Sequence, residues 1–421
     1  MNGLSGIMGM GPKSDWLSMG FACLVISAFF PEFISSYTIM LFVVLSIVQF
    51  RKTGFRWPAH GWVYGLALLF LWQLVGMGYS SNPEQGWPLL GMSLLMALIP
   101  WLLHSQQLQA ERLVQSGLRW LWGSTLLASF YLTGLGLVKI ISIGEHYWYY
   151  SGFYLYYTGL AEHLMHPTYL SCLVSMAFMG AVYLRWKGQL RSNRVFYLCQ
   201  AWLLLFLVML SARMTILAFV LSSALLLLYL ARTHPHRKKL YRLLLLMPLV
   251  LLLLFLALPA TVQERYTSLL NAEYDIGAPE QHDFNGLTIR LAEWKGVGEA
   301  MQGHWWLGHG TGGGKQALLA AYERIGFGLG VALGYNAHNQ LLETALGNGL
   351  PGSMLLLLVF VLAFRKAWLN NNWLAMWLLV FIFISMQSES LLIRNRGALF
   401  FAMYTGLLLL LPRASLPGKA G

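Results

Sequence analysis

The chain has 421 residues, 57% of them hydrophobic and only 10% charged, whereas soluble domains carry roughly 25% charged residues; it has too few charges to cover a water-facing surface of its size. The formal net charge of +12 would suit nucleic acid, but the positives sit in short segments between apolar runs, which argues against a nucleic-acid surface. Cys23, Cys172 and Cys199 all lie inside apolar runs, so neither a disulfide framework nor a cysteine metal site is expected.

Runs close to the ~20 apolar residues needed to cross a bilayer recur along the chain. They fall at 16–31, 34–50, 61–79, 86–103, 117–138, 167–184, 195–212, 214–231, 243–262, 350–364, 373–388 and 397–412. The first has no clear small-residue cleavage site and reads as a retained span. Backbone polar groups in hydrocarbon must be satisfied within the segment, so each run predicts a helix. Continuous rather than alternating apolarity argues against a barrel. The expected fold class is an all-α polytopic membrane protein with about twelve transmembrane helices.

With the N-terminus placed in the cytoplasm, the inside segments hold Lys13, Arg51, Lys52, Arg56, Arg112, Arg119, Arg185, Lys187, Arg191, Arg194, Arg232, Arg237, Lys238, Lys239, Arg242, Arg365, Lys366, Arg413 and Lys419. That is 19 of the 28 basic residues, while only Asp15 and Glu111 of the 16 acidic residues fall inside. The positive-inside rule therefore predicts both termini in the cytoplasm. Three regions follow: residues 1–262 with nine spans and an outside segment near 139–166; residues 263–349 as one large outside loop; residues 350–421 with three spans and a cytoplasmic tail. Loops of this length in a compact protein are usually functional. The large loop has helix-like stretches at 288–302 and 315–325. Its glycines at 308, 310, 312, 313 and 314 predict a flexible stretch. A P-loop is excluded there, because His309 stands where the first glycine belongs and Gln316 follows Lys315 in place of Ser or Thr.

Three of the basic residues left outside are candidates for anion binding. Arg213 lies between two spans with almost no loop, Arg265 follows the ninth span, and Arg290 opens Arg290-Leu-Ala-Glu-Trp294. Ionisable groups held at a membrane are functional candidates, and guanidinium grips phosphate oxygens in a bidentate way. The bland alternative is snorkelling or pairing with loop carboxylates. His338, in Gly334-Tyr335-Asn336-Ala337-His338-Asn339, could take a proton from a hydroxyl near neutral pH, with Asn336 and Asn339 orienting its ring or a sugar. Alternatively it is a histidine at a helix start that bonds only to its neighbours. Glu162, His163 and His166 precede Pro167; the proline argues against a continuous helix and a histidine metal pair, leaving loop packing or substrate contact.

These motifs resemble the O-antigen ligase family, which is related to O-antigen polymerases and bacterial O-oligosaccharyltransferases. The resemblance rests on Ser211-Ala-Arg213, on Arg290 with Trp294, on Leu307-Gly-His-Gly310, on Asn336-Ala-His338-Asn339 followed by Gly347 through Gly352, and on the His-Pro segment within 162–169. It implies transfer of O-antigen polysaccharide from undecaprenyl diphosphate to lipid A-core at the periplasmic face of the bacterial inner membrane. It further implies an inverting, metal-independent reaction without cofactor, with His338 as catalytic base and Arg213 and Arg290 on the diphosphate. Arg265 joins them by position, and Tyr335 joins Glu162, His163, His166, Asn336 and Asn339 as a candidate substrate contact. Polymerase and protein-directed transferase differ only in acceptor; the short length and the want of an appended soluble domain favour the ligase. A transporter should show two related halves with interrupted spans, and the sequence shows none.

Overall fold

The computed structural model describes residues 16–106, 109–143, 154–190, 192–233 and 286–413. Among them every regular element is a helix: α1 (Trp16–Ser27), α2 (Glu32–Thr53), α3 (Gly61–Met77), α4 (Pro83–His104), α5 (Ala110–Ile143), α6 (Tyr157–Ala161), α7 (Pro167–Trp186), α8 (Asn193–Leu210), α9 (Arg213–Thr233), α10 (Gly286–Ala300), α11 (Gly314–Arg324), α12 (Gly328–Leu333), α13 (Gln340–Leu369), α14 (Trp373–Ser385) and α15 (Asn395–Leu408). Seven helices, α2, α4, α5, α7, α8, α9 and α13, are long and apolar enough to cross a membrane, while α1, α3 and α14 are shorter apolar helices. The architecture is that of a polytopic helical membrane protein. The run at 243–262 and Arg265 lie outside the described residues.

Helix starts follow local chemistry. Asn82 accepts from the Gln85 amide at 3.3 Å ahead of Pro83, so α4 opens on a capped, proline-led turn. The Asn339 side chain accepts from the amides of Leu341 and Leu342 at 3.0 and 3.2 Å, and α13 therefore begins at 340 rather than at the expected 350. Its polar first turns hide this start from a hydropathy reading. Gly349, at φ 67°, then kinks the helix, and Pro351 follows. The part from Leu350 to Leu369 rises about 30 Å at 1.5 Å per residue, the thickness of the hydrocarbon layer.

The spans close around one large apolar cluster, with α3 against α13, α4 against α15 and α9 against α14. At Gly65 a Cβ would stand 2.9 Å from Val359 Cγ2, so α3 and α13 approach as closely as a missing side chain allows. A second, smaller cluster joins Val297, Met301, Leu318, Tyr322, Phe327 and Leu346. It packs α10, α11 and α12 onto the start of α13 and makes residues 286–346 a folded cap. The expected stretches at 288–302 and 315–325 correspond to α10 and α11; α12 was not foreseen.

Candidate active site

His338 sits in the turn that leads into α13, with φ +40°. A non-glycine residue in the left-handed region is uncommon and strained, and such residues cluster at functional sites. The turn is held from every side. Its Ala337 amide donates to Glu343 Oε2 at 2.9 Å, and the Ala337 carbonyl accepts from Trp294 Nε1 at 3.1 Å. The His338 amide donates to Asn336 Oδ1 at 2.9 Å, and the Asn336 carbonyl accepts from the Tyr322 hydroxyl at 3.3 Å.

The imidazole itself is oriented by Glu293. His338 Nδ1 lies 2.8 Å from Glu293 Oε1, and the Glu293 side chain is 0% exposed. Its other oxygen, Oε2, is buried and finds no hydrogen-bond partner among the described residues. A proton on Nδ1 facing the carboxylate leaves Nε2 as the accepting nitrogen of the neutral ring. Burial works against the imidazolium, but the Glu293 hydrogen bond and charge outweigh it, and the His338 pKa is raised above the ordinary value. Burial also raises the Glu293 pKa, against the stabilising pull of His338 and Arg290.

Arg290 lies one turn before Glu293 on α10. Its Nε and Nη2 donate to the Ser388 carbonyl at 3.3 and 3.1 Å, and its Nη1 donates to the Gly286 carbonyl at 2.9 Å. The 386–392 segment is tied in turn to the histidine turn, since the Gln340 amide donates to the Met386 carbonyl at 2.9 Å and Asn339 Nδ2 to the Gln387 carbonyl at 3.3 Å. Arg213 begins α9 after Ser211, another left-handed residue at φ 47°. A Cβ on Gly286 would stand 3.2 Å from Arg213 Nη2 and 3.6 Å from Arg290 Nη1. Two guanidinium groups from distant parts of the chain thus flank one glycine.

One cavity of about 1050 Å³ is lined by His338, Glu293, Arg213, Arg290, Tyr335, Asn336 and His166. Tyr335 stands edge-on to His338 at 5.9 Å between centroids. Asn336 and Asn339 hold backbone groups rather than the histidine ring, and Asn339 caps α13 outside the cavity lining. Glu162 and His163 do not line the cavity either; Glu162 pairs with Lys139 at 3.1 Å on the surface. His166 caps α7, accepting from the Thr168 amide. Among the described residues no group of three His, Cys, Asp or Glu is placed to hold a metal ion.

The O-antigen ligase family model matches residues 198–357, a span that contains Arg213, Arg290, Glu293 and His338. Over this part of its length the chain is similar to the O-antigen ligase family. No curated protein matches the chain. Three features of the cavity and its surroundings escape sequence reasoning. Glu293 is one carboxylate among several in the cap, and only its burial against His338 marks it. Lys315, Arg394 and Arg396 also line the cavity; Arg394 precedes α15 and Arg396 sits in its first turn, in a stretch that the sequence reads as a short loop between spans.

The third is the glycine-rich stretch, where the expectation of flexibility is overturned. A Cβ at Gly312 would stand 1.8 Å from the Asn82 carbonyl oxygen, and one at Gly313 2.1 Å from the His309 carbonyl oxygen. The Gly312 amide donates to Ser80 Oγ at 3.0 Å, and the Thr311 amide to the Gly76 carbonyl at 3.2 Å. These glycines are there so that the backbone can lie flat against the end of α3 and the start of α4, forming part of the cavity wall.

Proposed function

We propose that this protein is a glycosyltransferase of the periplasmic face of the inner membrane that transfers O-antigen polysaccharide from undecaprenyl diphosphate to lipid A-core. The observation that carries the reading is a histidine, oriented by a buried carboxylate, sharing one cavity with two arginines that flank a single glycine. The acceptor hydroxyl loses its proton to His338 Nε2 as its oxygen attacks the anomeric carbon. The carbon–oxygen bond to the diphosphate breaks, and the configuration inverts. Glu293 keeps the accepting nitrogen on Nε2 and stabilises the imidazolium that forms. Arg213 and Arg290 hold the diphosphate and the charge that grows on it as it leaves. Chemistry of this kind needs no nucleotide, because the donor is already activated. The reading includes twelve spans with both termini in the cytoplasm, which puts the cap formed by residues 286–346 in the periplasm.

The test is a deletion strain complemented with variants. Loss of the protein should leave lipid-linked polymer of normal length unattached to core. His338→Ala should reproduce that phenotype, since a general base contributes roughly 10²- to 10⁴-fold, while purified variant still binds the lipid-linked donor. His338→Gln keeps a hydrogen bond but accepts no proton at neutral pH and should also fail. Shortened polymer in the deletion strain, or a working Gln variant, would overturn the assignment.

A further inference from the structure

Between α10 and α11 the chain exposes Trp305, Trp306 and Leu307 in succession, at 46, 74 and 52% exposure. Three consecutive exposed apolar residues are costly in a water-facing segment unless they serve a function. Their backbone is fixed. The Trp305 carbonyl accepts from the Leu350 amide at 2.8 Å, and the Leu307 carbonyl accepts from the Tyr79 hydroxyl at 2.7 Å. Gly349 makes the first contact possible, because a Cβ there would stand 2.0 Å from the Trp306 carbonyl oxygen. The tip is therefore clamped by its main chain while its side chains stay about half exposed or more.

What it is clamped to tells where it lies. Leu350 is the first residue of the membrane-length part of α13, and Tyr79 follows the end of α3. The start of this part of α13 lies within about two turns of the end of α3, since Trp72 Nε1 donates to the Asn348 carbonyl at 2.8 Å and Thr311 Oγ1 bridges the Gln73 carbonyl and Asn348 Oδ1. Beyond Leu350 the outward face of α13 continues through Met354, Leu358 and Val361, all exposed large apolar residues. The Trp tip thus lies at the head of a helix whose exposed apolar stripe is suited to face lipid. Tryptophan rings prefer this depth, where an apolar body meets hydrocarbon and the indole N–H meets headgroups.

We propose that Trp305, Trp306 and Leu307 form a wedge inserted in the interfacial layer of the bilayer, with lipid headgroups and upper acyl chains as its partner. The wedge holds the cap at a fixed height, so that the cavity wall built from Thr311, Gly312 and Gly347 stays beside the lipid surface.

The experiment uses the full-length protein in lipid nanodiscs, with Cys23, Cys172 and Cys199 replaced by serine or alanine. A nitroxide is placed by Trp306→Cys, by Leu307→Cys, and by Glu323→Cys on the exposed face of α11 as a water-facing reference. Power saturation with oxygen and with a water-soluble nickel chelate then reads depth. At 306 and 307 the oxygen-to-nickel accessibility ratio should be several-fold above that at 323. A ratio equal to that at 323 would place the tip in water. Protection from both reagents would mean that protein covers it. Either result overturns the proposal, and neither bears on whether His338 is a base.

Discussion

Two segments of the molecule offer a histidine beside a carboxylate, and they are built in opposite ways. Near 162–169, Glu162 is 57% exposed and pairs with Lys139, while His166 caps α7 and lends one edge to the cavity. In the 336–343 turn, His338 meets a carboxylate with no exposure at all, held in a left-handed conformation by bonds from α10, α11 and α13. The residue types are the same; the dielectric around them is not. A charge near water is screened and mobile, and its pair is worth roughly 0.2–1 kcal/mol. A charge taken out of water acts at full strength on the one group it touches. On the proposed mechanism only the second pair is built for proton transfer.

Apart from His338 itself, the largest effect should come from the two arginines proposed to hold the diphosphate. Arg213→Ala and Arg290→Ala should each lower transfer by roughly 10²- to 10³-fold, the loss seen when a positioned donor is removed from a developing charge. Lysine at either position keeps the charge but not the planar fork, and should restore little. Arg290 also fastens α10 to Ser388, so thermal melting of each purified variant belongs beside the rate. Near-normal transfer in both alanine variants at normal protein levels would leave the arginines structural, and the buried pair without an anion to work against.

Much of this arrangement can be read from the sequence, because the signals are local. Eleven of the twelve expected spans fall on described helices, since an apolar run of span length has few other fates in a bilayer. Arg213 stands out as a charge between two such runs, and Arg290 and His338 as motif residues in the large loop. Glu293 does not, because its meaning lies in a contact across 45 positions and in burial that exists only after folding. The early start of α13 is masked by Gln340, Glu343 and Thr344, which make its first turns look like loop. The glycines at 310–314 mislead for a related reason. Glycine permits both looseness and close approach, and only the Asn82 and Ser80 backbone they lie against decides between them.

An intermediate effect is expected at Glu293. Glu293→Gln keeps the shape and one acceptor but removes the charge. A hydrogen bond to a charged group contributes roughly 1.5–3 kcal/mol, so transfer should fall about 10- to 100-fold. The pH profile separates a positioning role from a packing one. In the native protein Glu293 raises the pKa of His338 against the effect of burial. The neutral base is then lost as pH falls through a value above that of an ordinary histidine. Without the carboxylate burial remains, the imidazolium is less stable, and the acidic limb should move to lower pH even as the maximal rate drops. A lower rate with an unmoved limb would assign Glu293 to packing alone.

The smallest effect should come from Glu162, and it tests the other half of the contrast. If exposure is what disqualifies the 162–169 segment, removing its charge should do little. Glu162 is well exposed and Lys139 partly so, and solvent screens their pairing. Even if the whole worth of an exposed ion pair entered the barrier, Glu162→Gln would slow transfer by less than about fivefold. It should also leave the acidic limb of the profile where it is, because Glu162 is not among the groups that set the pKa of His338. The useful measurement is the double variant Glu162→Gln with His338→Gln, compared with each single change. Independent sites should give additive losses in barrier height, with nearly all the loss belonging to His338. If Glu162→Gln alone abolishes transfer, or if the double variant is no worse than Glu162→Gln, the two segments act as one unit. The proton would then leave through the exposed carboxylate, and burial would not be what distinguishes them.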